Sequence, residues 1–343
     1  IYPPGGKTDA QTVDEHRAIV ALDPLREDSY HILLGALRRE RRTDEAWTVA
    51  SILTVLGNRE RLPTTFYADH RPASIVLAQR GLSRDEWGAL QHPGMSPEAA
   101  RLMAAIGSGI GRVFAGDISA WGAHRRNDWI DTAQPGPVAN TLHYAVQVLG
   151  AATPALYRWP GGADLRNGNT DPRSLLAGAD VLAAESDRRL VFRVVRAVCL
   201  LRDEFYLASA VDLSTMTAII QATLALFTGG PPPAWDSPAV RAWMEAIREA
   251  PDAILEHLRG AVDTFLRAGQ VPDLRAWQIA AELTAHRVAL LLCGDLQRAA
   301  QASAALPSTI VELDAHARAT EMVRFAASPE YASLRASLGL AIA

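Results

Sequence analysis

Along most of the chain the apolar residues fall three and four apart, the spacing of one helix face, and a single tract departs from that rhythm. Ile19, Val20 and Leu22 are followed by Tyr30, Leu33, Leu34 and Leu37 in this pattern. "PEAARLMAAIGSGIGRVFAG", opened by a Ser96 cap with Pro97 in the first turn, continues it, as do "VANTLHYAVQVLG" and a long helix from a Ser186 cap through "RRLVFRVVRAVCLLRDEFYL". The exception is "ALYRWPGGADLRNGNTDPRSLLAGADVLA". There, short apolar runs at 155–159 and 173–177 are broken by Gly, Asn and Pro, which is a strand signal. A mostly α fold with a small sheet is expected. "TGGPPPAWDSP" (228–238) is expected to be a surface loop.

Composition narrows the chemistry. At 343 residues the chain is long for one core, and with 49% apolar and 21% charged residues it has the make-up of a globular protein. A net charge of -4 carries no electrostatic footprint for nucleic acid. Lys7 is the only lysine among 34 basic residues, an arginine skew that reads as a GC-rich bacterial genome. It also leaves no interior lysine for a Schiff base or a phosphate loop. Cys199 and Cys293 both lie in apolar helical runs, which reads as buried free thiols without disulfide or zinc-knuckle spacing. No apolar run reaches membrane-spanning length and no signal peptide is visible. A cytoplasmic location is expected, although a chain starting at Ile1 reads as a fragment or processed form.

Residues 10–58 resemble a tetratricopeptide repeat. Measured from Pro24 at the end of one unit, Tyr30, Leu33, Leu37, Ala46, Ala50 and Leu53 fall where a helix–turn–helix repeat of about 34 residues places its packing side chains. The small Ala46 and Ala50 allow the two helices to approach closely. The resemblance implies a partner-binding or assembly role, since stacked repeats present concave helical surfaces. "RRERR" (38–42) ends the first repeat helix and reads as a solvated positive terminus complementing the helix dipole.

From residue 138 onward, the order of helix, small sheet, long helix, insertion and a Glu-bearing helix is similar to a zincin metallopeptidase. It resembles most the family that includes the CAAX-prenyl proteases and their soluble bacterial relatives. In that comparison "SLLAGADVLA" takes the place of the strand and Gly turn before the active-site helix, and "LVFRVVRAVCLL" takes the place of that helix. The family's zinc chemistry needs His-Glu-x-x-His, two ligands one helical turn apart with a general base between them. The chain has no such motif. Arg196 stands for the first His, Ala197 for the Glu and Leu200 for the second His, while Glu282 matches the third ligand and His286 replaces the Asp expected four residues on. Arginine has no free lone pair for zinc, and Ala and Leu have no donor atom. A lone carboxylate facing a former metal site needs a cation, so Arg196, or failing that Arg193, is expected to pair with Glu282.

The fold expected is therefore mostly α: a tetratricopeptide-like helical hairpin (1–58), a helical connector (59–137) and a degenerate zincin-like α+β domain with a small sheet (138–343). The function the resemblances imply is a non-catalytic interaction or assembly component with a pseudo-metallopeptidase domain. It would carry no catalytic residue, no metal and no cofactor. Its partner would be a protein or larger assembly, with no nucleic acid and no membrane span, and a homo-oligomer is possible. The alternative is a metal-dependent hydrolase rearranged around Glu282 and His286, with a further ligand such as His143 or Asp203. "GSG" at 107–109 lies inside a helical pattern, which favours close helix packing over a nucleotide loop. "HRRNDW" (124–129), near Trp121, is balanced between an interaction surface and ordinary packing.

Overall fold

The computed structural model describes residues 8–184, 187–269, 273–307, 310 and 312–342. Helices α1 (Asp9–Leu22), α2 (Glu27–Arg39), α3 (Thr43–Val55) and α4 (Arg61–His70) follow one another with short turns. Then come α5 (Arg84–Leu90), α6 (Pro97–Gly109) and a short 3-10 turn (Ile118–Trp121). Strand β1 (Trp129–Ile130) and helix α7 (Pro137–Leu149) precede β2 (Ala155–Arg158), β3 (Leu165–Gly168) and β4 (Ser174–Ala177). The rest is helical: α8 (Ala179–Leu182), α9 (Arg188–Leu200), α10 (Asp203–Ala210), α11 (Leu213–Phe227), α12 (Pro238–Arg248) and α13 (Asp252–Arg267). The chain closes with α14 (Leu274–Cys293), α15 (Leu296–Ala304), α16 (Ala315–Ala326) and α17 (Pro329–Ser337). The protein is thus mostly helical with one small mixed sheet.

The N-terminal helices form where capping and spacing favour them. Thr8 and Gln11 cap α1 reciprocally, each side chain accepting from the other's backbone N–H. Tyr30, Leu33 and Leu37 of α2 and Ala46, Ala50 and Leu53 of α3 are all buried, and the Tyr30 hydroxyl donates to the Pro24 carbonyl at 2.9 Å. Side chains no larger than alanine at 46 and 50 let α3 pack tightly on its neighbours. The exposed "RRERR" terminus is held in surface ion pairs, Arg39 with Asp9 and Arg42 with Glu40 and Glu45.

The sheet runs β1-β2-β4-β3, with β2 and β4 parallel and the outer pairs antiparallel. β2 and β4 coincide with the two apolar runs at 155–159 and 173–177. β1, two residues long, and the polar β3 lie outside both runs. One apolar cluster runs from Val13 through α14 to Leu340, crossing residues 58 and 137 without interruption. α14 lies at its centre. Fifteen of its side chains are buried, so it is enclosed on nearly all sides, and α9 packs along it.

The expected long helix after 186 divides in two. Ser186 lies outside the described residues, and Asp187 is the N-cap of α9, its carboxylate accepting from Leu190 N at 2.8 Å. α9 then ends at Leu200 and α10 starts at Asp203. Arg173 explains the break: its guanidinium caps the Leu201 carbonyl, contacts the Gly107 carbonyl at 2.9 Å and pairs with Asp203 at 2.6 Å. A β-carbon on Gly107 would sit 2.4 Å from the Asp203 carbonyl oxygen, so α6 reaches the start of α10 only through a glycine.

Candidate functional site

A cavity of about 850 Å³ opens between β3, the start of α11, α9 and α14. Arg196 and Leu200, one turn apart on α9, line it together with Glu282 of α14. Ala197 points away and is buried. Arg196 meets Glu282: its Nε donates to Oε1 at 2.6 Å, and Nη2 lies 2.5 Å from the same oxygen. Arg193, the other cation on this face, is directed to Asp164 at 3.7 Å. Burial is the largest influence on Glu282 and opposes its ionisation, but the Arg196 charge and hydrogen bond together with His286 and Arg318 hold the carboxyl below its ordinary range.

His286 sits behind this pair. It is fully buried, with its ring edge-on to Phe192 of α9 at 5.5 Å between centroids. Nδ1 lies 2.9 Å from the Glu282 carbonyl and 3.3 Å from its Oε1, while Nε2 lies 3.1 Å from Ser303 Oγ on α15. Burial pushes the imidazole down to about 4 against the pull of the Glu282 charge, so the ring is neutral near pH 7. A carbonyl can only accept, which puts the ring proton on Nδ1 and makes Nε2 the acceptor of the Ser303 hydroxyl.

Carboxylate, imidazole and hydroxyl thus stand in the order of a nucleophilic triad. The surroundings differ from those of a nucleophile. Ser303 is only 1% exposed, its Oγ accepts from Arg318 Nε at 3.2 Å, and Arg318 also holds the Ser303 carbonyl at 2.9 Å. The hydroxyl is enclosed and does not reach the cavity. What the arrangement can do is tie α14, α15 and α16 together through satisfied polar contacts. Ser303 and Arg318 were missed by sequence reasoning, since nothing in "QRAAQASAAL" marks a serine that will face a histidine 17 residues earlier.

The other ligands weighed for a metal are elsewhere. His143 is exposed on α7, and Asp203 is paired with Arg173. Among the described residues no three of His, Cys, Asp and Glu are grouped to hold an ion. The Glu-x-x-x-His spacing also recurs on α2, where Glu27 and His31 lie 3.6 Å apart at the surface. Cys199 and Cys293 are buried thiols, both pushed up by desolvation. "HRRNDW" is exposed from 124 to 127, and Trp129 is half exposed on β1. Trp121 packs on the Arg166 guanidinium at 4.4 Å, at the cavity rim.

β3 contributes one more feature to the cavity. It is an edge strand. Arg166 and Gly168 face Leu176 and Ser174, and Gly178 N donates to the Asp164 carbonyl at 2.8 Å. In antiparallel pairing alternate residues turn their backbone groups outward, here Leu165 and Asn167, and both line the cavity.

No protein-family model matches the chain, and neither the curated proteins nor the solved structures searched contain a significant match. Among the described residues no helix is long and apolar enough to cross a membrane.

Proposed function

We propose that the chain is a non-catalytic interaction or assembly component, with an N-terminal tetratricopeptide-like hairpin and a C-terminal domain derived from a zincin metallopeptidase. The observation that carries this reading is the Arg196–Glu282 pair at 2.6 Å. A guanidinium occupies the place where zinc chemistry would need a ligand, and it satisfies the one carboxylate left in the position of a third ligand. Leu200 on the next turn has no donor atom to offer. The open cavity beside the pair, bordered by the edge strand β3, favours capture of a partner segment over chemistry at this site.

A metal-dependent hydrolase rearranged around Glu282 and His286 is the competing reading. Both ring nitrogens of His286 are engaged, one by the Glu282 carbonyl and one by Ser303, so the imidazole offers no lone pair to the cavity. Metal analysis of the purified chain together with a peptidase assay separates the two. The proposal expects no stoichiometric zinc and no turnover. Bound zinc that disappears in Glu282→Ala would overturn it.

A further inference from the structure

A second cleft, about 610 Å³, lies between the 71–77 segment and the first turns of α9 and α15. It shares no lining residue with the cavity beside Glu282. Its charged walls are Arg71, Arg188, Arg189 and Arg298 against Asp187. Two of these cations are already neutralised: Arg71 Nε donates to the buried Asp295 at 2.7 Å, and Arg189 Nε to Asp187 at 3.0 Å. The other two are positioned by neutral acceptors. Arg188 Nη2 donates to the Pro72 and Ser74 carbonyls at 2.7 and 2.8 Å, and Arg298 Nη1 to Gln301 at 3.1 Å. Among the described residues neither forms an ion pair with a carboxylate, and each keeps further N–H donors unused.

Local electrostatics make this placement costly without a ligand. Arg188 and Arg189 occupy the first two positions of α9, and Arg298 the third position of α15. The first turn of a helix carries partial positive charge and favours acidic side chains, so the guanidiniums of Arg188 and Arg298, which have no carboxylate partner among the described residues, add like charge to like. Positions that violate local preference in this way are where binding sites are expected. Ile75 and Leu77 form an apolar wall on one side of the cleft.

We propose that this cleft binds a phosphate-type dianion, inorganic or as a phosphomonoester, between Arg188 and Arg298. Guanidinium N–H pairs match phosphate oxygens two at a time, and the carbonyl-anchored Arg188 is already oriented for it. The apolar wall accepts the carbon skeleton of an ester.

The phosphate group can belong to a soluble compound or to a lipid headgroup, and two arms distinguish them. Inorganic phosphate is titrated into the full chain by calorimetry at low ionic strength, and vesicles containing phosphatidic acid are sedimented with it. Saturable phosphate binding is expected, weakened about tenfold by Arg298→Ala and unchanged by Arg101→Ala on the exposed face of α6. Binding confined to the vesicles, with the same dependence on Arg298, assigns the group to a headgroup. Should Arg298→Ala fail to fold, Arg298→Gln, which keeps most of the side chain without its charge, replaces it, with the same loss expected. No arginine-dependent binding in either arm, or an equal loss with Arg101→Ala, overturns the proposal.

Discussion

Arg196 on α9 and Glu282 on α14 meet at 2.6 Å, although 86 residues separate them in the chain. The pair closes the contact between the two helices at the wall of a cavity, with side chains 17% and 13% exposed. Neither charge would be well placed alone. Solvent reaches the pair from one side only, so each guanidinium or carboxylate depends on the other for most of its compensation.

Removing one partner should therefore cost more than removing both. Arg196→Ala or Glu282→Ala is expected to lower unfolding free energy by about 3 kcal/mol, at the low end for buried pairs because the cavity admits water. The joint replacement Arg196→Met with Glu282→Leu should recover most of that loss. Chemical denaturation of the three variants reads this directly. A loss in the double variant equal to the sum of the two single losses would show that the pair does not act as a unit.

Stability should also fall on mild acidification, through His286. Its folded value of about 4 lies below the ordinary 6.5, so the folded state binds fewer protons than the unfolded chain. The sign follows: stability is complete above pH 6.5 and declines as pH drops towards 4, by at most about 3 kcal/mol. Glu282, held below its ordinary range, acts in the same direction further down. Its contribution is present above its unfolded value near 4.5 and is lost as pH falls through the folded one. His286→Gln should flatten the upper stretch of the curve. A variant with the wild-type slope between pH 6.5 and 4 would exclude His286 as its source.

The C-terminal segment is held by a second pair. Arg335 contacts Asp44 of α3 through Nε at 2.8 Å and Nη2 at 2.6 Å, while Asp44 Oδ1 also accepts from Ile342 N and Arg335 Nη2 donates to the Leu340 carbonyl. Asp44→Ala leaves a buried guanidinium unpaired, and a loss of about 3 to 5 kcal/mol is expected. Amide exchange at Leu340 and Ile342 should rise before exchange in α14 does. Uniform acceleration across the chain would mean the pair stabilises the whole fold with no local opening.

Two glycines should respond in opposite directions. Gly107→Ala forces a β-carbon onto the Asp203 carbonyl and is expected to cost at least about 2 kcal/mol by prising α6 from α10. Gly260, inside α13, has open space around it, and Gly260→Ala should add up to about 1 kcal/mol of helix stability. Thermal unfolding of both variants checks the contrast.

How much of this was legible beforehand follows from how far apart the interacting residues lie. The packing positions from Tyr30 to Leu53, the Ser96 cap and the shared face of Glu282 and His286 depend on helical geometry within a few residues. Periodicity alone places them. The two apolar strands β2 and β4 were visible for the same reason. The Arg196–Glu282 contact was reachable in a different way, from the demand that a carboxylate on a largely apolar helix find a cation.

Other features depend on which faces meet, and no local rule encodes that. The break between α9 and α10 exists because Arg173, about thirty residues earlier, caps a carbonyl there. β3 is polar and short, and it became a strand because β4 offered it an edge. Ser303 faces His286, and four arginines line one cleft, because α9, α14 and α15 pack together around a common core. Local spacing determined the helices and their apolar faces. The packing of those faces decided which charges and hydroxyls would share a site, because side chains distant in sequence interact only after burial has brought their helices together.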